Sequence, residues 1–74
     1  MPRDPAEIEL RRRAFAVQLR QIRTDKGLTQ EQVAHNAGID RSFYVDIENA
    51  RHSVSVDKVF AISDAMGVPI EEIF

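Results

Sequence analysis

The stretch "LTQEQVAHNAGID", Leu28 to Asp40, constrains this chain more than any other. Thr29 is a helix-capping hydroxyl, and Gln32 three places on completes a capping box. Leu28 before the cap and Val33 four places after it are spaced as a hydrophobic staple. Ala34 is small enough to let a neighbouring helix approach. Gly38 supplies a turn after the last helical residue, and Asp40 is a second capping residue. Two helices so closely joined make a helix-turn-helix over about 29–49.

The same signals place the other helices. Asp4, Pro5 and Glu7 form a helix start. Phe15, Leu19 and Ile22 follow at i, i+4 and i+7 as its core stripe, and Gly27 ends it with Lys26 in the last turn. Ser55 caps a fourth helix carrying Val56, Val59, Phe60 and Met66, which Gly67 closes. Pro69 opens a last short turn, "PIEEIF". No strand pattern appears. The chain is predicted to be all-α, a single domain of five short helices, with residues 56–74 supplying dimerisation.

A chain of 74 residues must find stability beyond its own core, which at this size supplies only about 3–5 kcal/mol. It has no cysteine, which rules out disulfides and thiolate metal sites. His35 and His52 are isolated and form no metal motif. No cofactor, metal or catalytic group is expected, since no nucleophile–base pair or phosphate loop is present. Regular helix packing and a homodimer remain. Spare apolar residues concentrate at Phe60, Ile62, Val68, Ile70, Ile73 and Phe74; Val68, Ile73 and Phe74 are expected to be shared between the core and the partner, with Phe60, Val68 and Ile70 nearest the interface. No apolar run is long enough to cross a membrane and no signal core is present, so a cytoplasmic protein is expected.

The net charge of −2 argues against a nucleic-acid partner until its distribution is considered. Residues 1–51 hold nine of the ten basic residues against eight acidic ones, whereas residues 52–74 hold one basic and four acidic. Local clustering governs phosphate affinity more than the total does. The third helix, within "GIDRSFYVDIENAR", shows an unusual face. Wound at 100° per residue, Tyr44, Ile47 and Glu48 fall on one side, and Ser42, Val45, Asp46 and Asn49 on the other. A surface free of long charged chains can enter the DNA major groove. Arg41 can pair with guanine O6 and N7, and Asp46 can accept from cytosine N4. Val45 and Phe43 can meet thymine methyls, and Ser42 can donate or accept. So close to phosphates, Asp46 is tolerable if it reaches a base, points away from the backbone, or pairs with an arginine such as Arg41.

The stretches "LRQIRTDKGLTQEQVA", "GIDRSFYVDIENAR" and "VSVDKVFAISDAMGVPIEEIF" resemble the lambda-repressor-like, or XRE/Cro-type, helix-turn-helix family. The likeness runs from Phe15 to Phe74 and rests on the "KGLTQ" turn, the helix 2 alanine, the "GI" turn and the "IE" pair closing helix 3, in that order. It implies a sequence-specific regulator of transcription, a homodimer on palindromic double-stranded DNA, with RNA polymerase as a further partner. It implies base reading by Arg41, Ser42 and Asp46, and a phosphate contact by Gln30 beside Thr29. Asn49 and Arg51 match backbone-contacting positions, with His52 in the loop near the phosphates. Arg23 and Glu48 match a partly buried ion pair of structural rather than base-reading role. "IDRSF" is most similar to controller proteins of restriction–modification systems; phage-type repressors and protein-binding antitoxins on the same fold are the rival expectations. Phe43 departs from the tyrosine usual in controllers, Ser63 from an alanine, and Ala50 from the family's glycine, so Asn49 is expected to take the left-handed conformation.

Overall fold

The computed structural model describes residues 4–73. Four α-helices follow in order: α1 (Pro5–Asp25), α2 (Gln30–Ala37), α3 (Arg41–Glu48) and α4 (Val56–Met66). The expected fifth helix is a single 3₁₀ turn, Ile70–Glu72. There the Glu72 and Ile73 amides bond the Pro69 and Ile70 carbonyls, the i to i+3 pattern of a 3₁₀ turn. Among the described residues no helix is long and apolar enough to cross a membrane.

The caps are made largely as the sequence requires. The Asp4 carboxylate accepts from the Ala6 amide. The capping box is complete: the Gln32 amide donates to Thr29 Oγ1 at 3.0 Å, and the Thr29 amide to Gln32 Oε1 at 2.8 Å. Ser55 Oγ accepts from the Lys58 amide. Asp40 is the exception, because its carboxylate makes no cap bond and only its backbone carbonyl receives the Tyr44 amide.

The turn between α2 and α3 depends on Gly38 at φ +68°, which lets the Ile39 amide reach back to the Ala34 carbonyl. After α3 the expected left-handed residue is displaced by one. Asn49 stays at φ −98°, and Ala50 takes φ +59°. The Arg51 amide then bonds the Asp46 carbonyl, so the chain needs its left-handed residue one position beyond the cap.

Leu19, Val33, Ala34, Tyr44, Ile47, Val59, Ile62 and Met66 form the core. α2 packs on both α4 and α3, while α1 packs against α3. Val68 and Ile73 belong to this core at 6% and 2% exposure, and Ile62 is fully buried. These three are therefore not partner-facing residues. The 3₁₀ turn folds back under α4 and carries Ile73 inward, while Gln18 on α1 donates to the Glu72 carbonyl. Ile70 is half-buried and Phe60 is 49% exposed; Phe74 lies outside the described residues.

A left-handed alanine is strained by about 1–2 kcal/mol, partly offset by the greater chain entropy that glycine loses on folding. Ala50→Gly is therefore expected to raise Tm by several degrees in a domain of this size. A Tm unchanged or lowered in circular-dichroism melts would contradict the strain.

Candidate nucleic-acid interface

The site is organised by one carboxylate. Glu48, the last residue of α3, has a fully buried side chain. Arg23 of α1 grips it with two donors: Nε donates to Oε2 at 2.6 Å and Nη2 to Oε1 at 3.1 Å. The remaining arm of Arg23 donates to the Leu28 carbonyl at 2.9 Å. Gln30 at the start of α2 donates to Glu48 Oε1 at 3.2 Å. Arg20 adds Nη2 contacts to the Glu48 carbonyl and to Asn49 Oδ1, at 3.4 and 3.2 Å.

Burial opposes ionisation of Glu48, but the hydrogen bonds and charge of Arg23 and the hydrogen bond of the Gln30 amide outweigh it and hold the carboxyl below its ordinary 4.5. Tyr44 is fully buried. Its hydroxyl is buried beside the carboxylate, outside good hydrogen-bond geometry, and has no partner. Burial first, then the Glu48 charge, push the phenol far up, so it stays neutral.

With its inner face locked, α3 turns the opposite face outward. Arg41 and Ser42 are exposed, and Val45 and Asp46 are half-buried. Among the described residues Arg41 has no acidic partner. Asp46 pairs instead with Arg51 Nη1 at 3.7 Å, and His52 Nε2 lies 3.5 Å from its other carboxylate oxygen, an ion pair when the imidazole carries its second proton. The sharp reversal at Ala50 brings those side chains back alongside α3, so the arginine beside Asp46 is Arg51 rather than Arg41. Phe43 also departs from expectation. Its ring packs against the core, stacks on His52 with centroids 5.4 Å apart, and lies 5.6 Å from Lys58 Nζ. This engagement makes it a packing residue for the loop rather than a free thymine-facing group.

The structure thus brings Arg41, Ser42, Val45, Asp46, Asn49, Arg51 and His52 to one side of the molecule, while Thr29 and Gln30 stand at the start of α2. Sequence reasoning missed Arg20 and Lys58. Arg20 lies one turn before Arg23 on the same face of α1, which is a readable signal. The Lys58–Phe43 contact joins α4 to α3 and left no local trace. Among the described residues no group of three or more histidine, cysteine, aspartate or glutamate side chains could hold a metal ion.

A family model for the helix-turn-helix domain matches residues 19–73. The chain belongs to the helix-turn-helix family. It is a DNA-binding transcriptional regulator of the XRE type. The domain is 34% identical over 61 residues to control protein C.MunI of Mycoplasma sp, covering 81% of this chain and 82% of that protein. It is 34% identical over 55 residues to the immunity repressor protein of Bacillus phage phi105, covering 74% of this chain but only 38% of the repressor. The crystal structure of the restriction–modification controller protein C.AhdI from Aeromonas hydrophila superposes with a TM-score of 0.85 at 32% identity, covering 88% of this chain and 98% of that one.

In this helix-turn-helix regulator the ionised Glu48 stabilises the fold. Its folded pKa is depressed, so the contribution is complete above the ordinary value near 4.5 and is lost as the pH falls through the lower folded value. Glu48→Gln leaves Arg23 without a counter-charge and is expected to cost about 3–5 kcal/mol at neutral pH, the range for breaking a buried pair. It should also flatten the acid limb of stability. Thermal melts across that range check both, and an unaltered acid limb in the variant would contradict the assignment.

Proposed function

We propose that this regulator is a homodimer that reads a palindromic operator, as an autoregulatory switch of the controller type. The observation that carries the base-reading part is the outward face of α3. Arg41 and Ser42 stand exposed and uncommitted at the N-terminal end of a helix whose opposite face is fixed through Glu48. A helix entering the major groove meets base edges with those first residues. Arg41 pairs with a guanine and Ser42 bonds a neighbouring base. Val45 meets a thymine methyl, and Asp46 accepts from a cytosine while Arg51 offsets its repulsion of the backbone. Gln30 gives one amide hydrogen to Glu48, and the amide nitrogen carries a second, which serves a phosphate at the head of α2 beside Thr29. Asn49, Arg51 and His52 continue the phosphate contacts beyond α3.

A monomer offers one short helix, too little surface for specific binding. A two-fold dimer doubles it and reads half-sites about one helical turn apart. With Val68 and Ile73 assigned to the core, the interface is built around Phe60 and Ile70. The similarity to controller proteins over most of their length supports an operator at the protein's own promoter, where the dimer excludes or holds RNA polymerase. Bound there, the protein resides with the nucleoid in the cytoplasm.

Two experiments test this reading. Duplexes recovered from a random pool by the wild-type protein should share a palindrome. Arg41→Ala should lose about 1–3 kcal/mol per half-site and relax preference at one symmetric base position. Equal weakening on every sequence would overturn base reading by Arg41. Sedimentation should show a wild-type dimer at micromolar concentration and a folded monomer for Phe60→Glu. A dimer that survives Phe60→Glu would place the interface elsewhere.

A further inference from the structure

The family match begins at residue 19, but α1 begins at Pro5, and its first half carries the run Arg11–Arg12–Arg13. The three arginines differ in their surroundings. Arg13 is held by Glu9 at 2.8 Å, and Arg11 lies 3.9 Å from Glu7. Arg20 and Arg23 are committed to Glu48. Among the described residues Arg12 is the α1 arginine without a carboxylate partner. It is nonetheless half-buried, because it lines a groove with Ile8, Ser53, Val54 and Val56. An arginine lays its apolar stem on such a floor and leaves its guanidinium at the rim.

Arg12, Ala16, Arg20 and Arg23 recur at i, i+4, i+8 and i+11, one stripe of a helix. Ala16 is buried. Arg20 and Arg23 meet the end of α3 at Glu48 and Asn49, and Arg12 lines one groove with Ser53 and Val54 about 12 Å further along the axis, at ~1.5 Å per residue. The segment from Asn49 to Val54 therefore runs alongside α1, and it carries Arg51 and His52. Arg12 stands at the N-terminal end of the α1 stripe that carries Arg20 and Arg23.

We propose that Arg12 binds the phosphodiester backbone of DNA outside the half-site read by α3, extending each protomer's footprint beyond the operator palindrome. The inference rests on the DNA-reading function proposed above. A guanidinium held bidentately by a buried carboxylate, as that of Arg23 is, has little left for a phosphate, whereas an unpaired guanidinium on an apolar floor forms a charge-assisted, bidentate contact. The contact is sequence-independent, so it appears in flank length and salt dependence rather than in the motif.

The test uses a duplex recovered by the wild-type protein, either trimmed to the palindrome or extended by about one helical turn on each side. The wild type should bind the extended duplex more tightly and with a steeper salt dependence. Arg12→Gln should bind the trimmed duplex as the wild type does, lose the gain from the flanks, and show a salt slope on the extended duplex shallower by about 1 per protomer. Arg12→Lys should restore most of the gain. An Arg12→Gln variant with an unchanged flank gain, or one weakened equally on both duplexes with a lowered Tm, would overturn the proposal. Failure of the wild type to recover any duplex would instead overturn the DNA-reading function, and this contact with it.

Discussion

The whole arrangement depends on burying one carboxylate. Glu48 sits at the end of α3 with no exposure, and a charge placed there is unfavourable unless it is fully paired. The donors that satisfy it come from α1 and α2, and Arg23 spends its remaining arm on the Leu28 carbonyl between those helices. Three helices and one loop therefore meet at a single ionised group. Such a pair contributes less to stability than its geometry suggests, since a well-packed apolar replacement can do as well. Its contribution here is position. The carboxylate satisfies all its donors in one rotation of α3, and that rotation turns Arg41 and Ser42 outward.

The outer face shows how an acidic protein can still present a DNA-binding surface. Asp46 lies on the outward face of α3, where an unpaired carboxylate would repel phosphates. Arg51 stands 3.7 Å away, held there by the reversal at Ala50, and His52 stacks on Phe43 from the same loop. The strained alanine is thus linked to the electrostatics of the outward face of α3. A domain stabilised by only a few kcal/mol keeps this strain where the loop must bend back toward α3.

Local signals in the sequence were reliable where the physics is local. The capping box at Thr29 and Gln32, the cap at Ser55, the turn at Gly38 and the inward Tyr44–Ile47–Glu48 face all depend on residues a few places apart, and all are present. The likeness of "KGLTQ" and "GIDRSF" to one family supplied the Arg23–Glu48 pair, which no periodicity could have given. The readings that required correction turn on long-range packing. Val68 and Ile73 read as shared between core and partner because the fold of the 3₁₀ turn beneath α4, which buries them both, is invisible in the chain. Phe43 read as a base contact because Lys58 and His52 are distant or past a bend. The shift of the left-handed residue from Asn49 to Ala50 follows from the Arg51–Asp46 backbone bond, which composition does not announce.

The most direct measurement is backbone amide chemical-shift mapping of the labelled protein titrated with a duplex that it has itself selected. Perturbations concentrated at the head of α2, along Arg41–Asp46 and through Asn49–Ser53, with Arg23 and the buried Leu19 and Ile47 keeping their folded signature, would match the account. Perturbations confined to α4 and the 3₁₀ turn, with α3 unmoved, would contradict it and assign nucleic-acid contact to a different face.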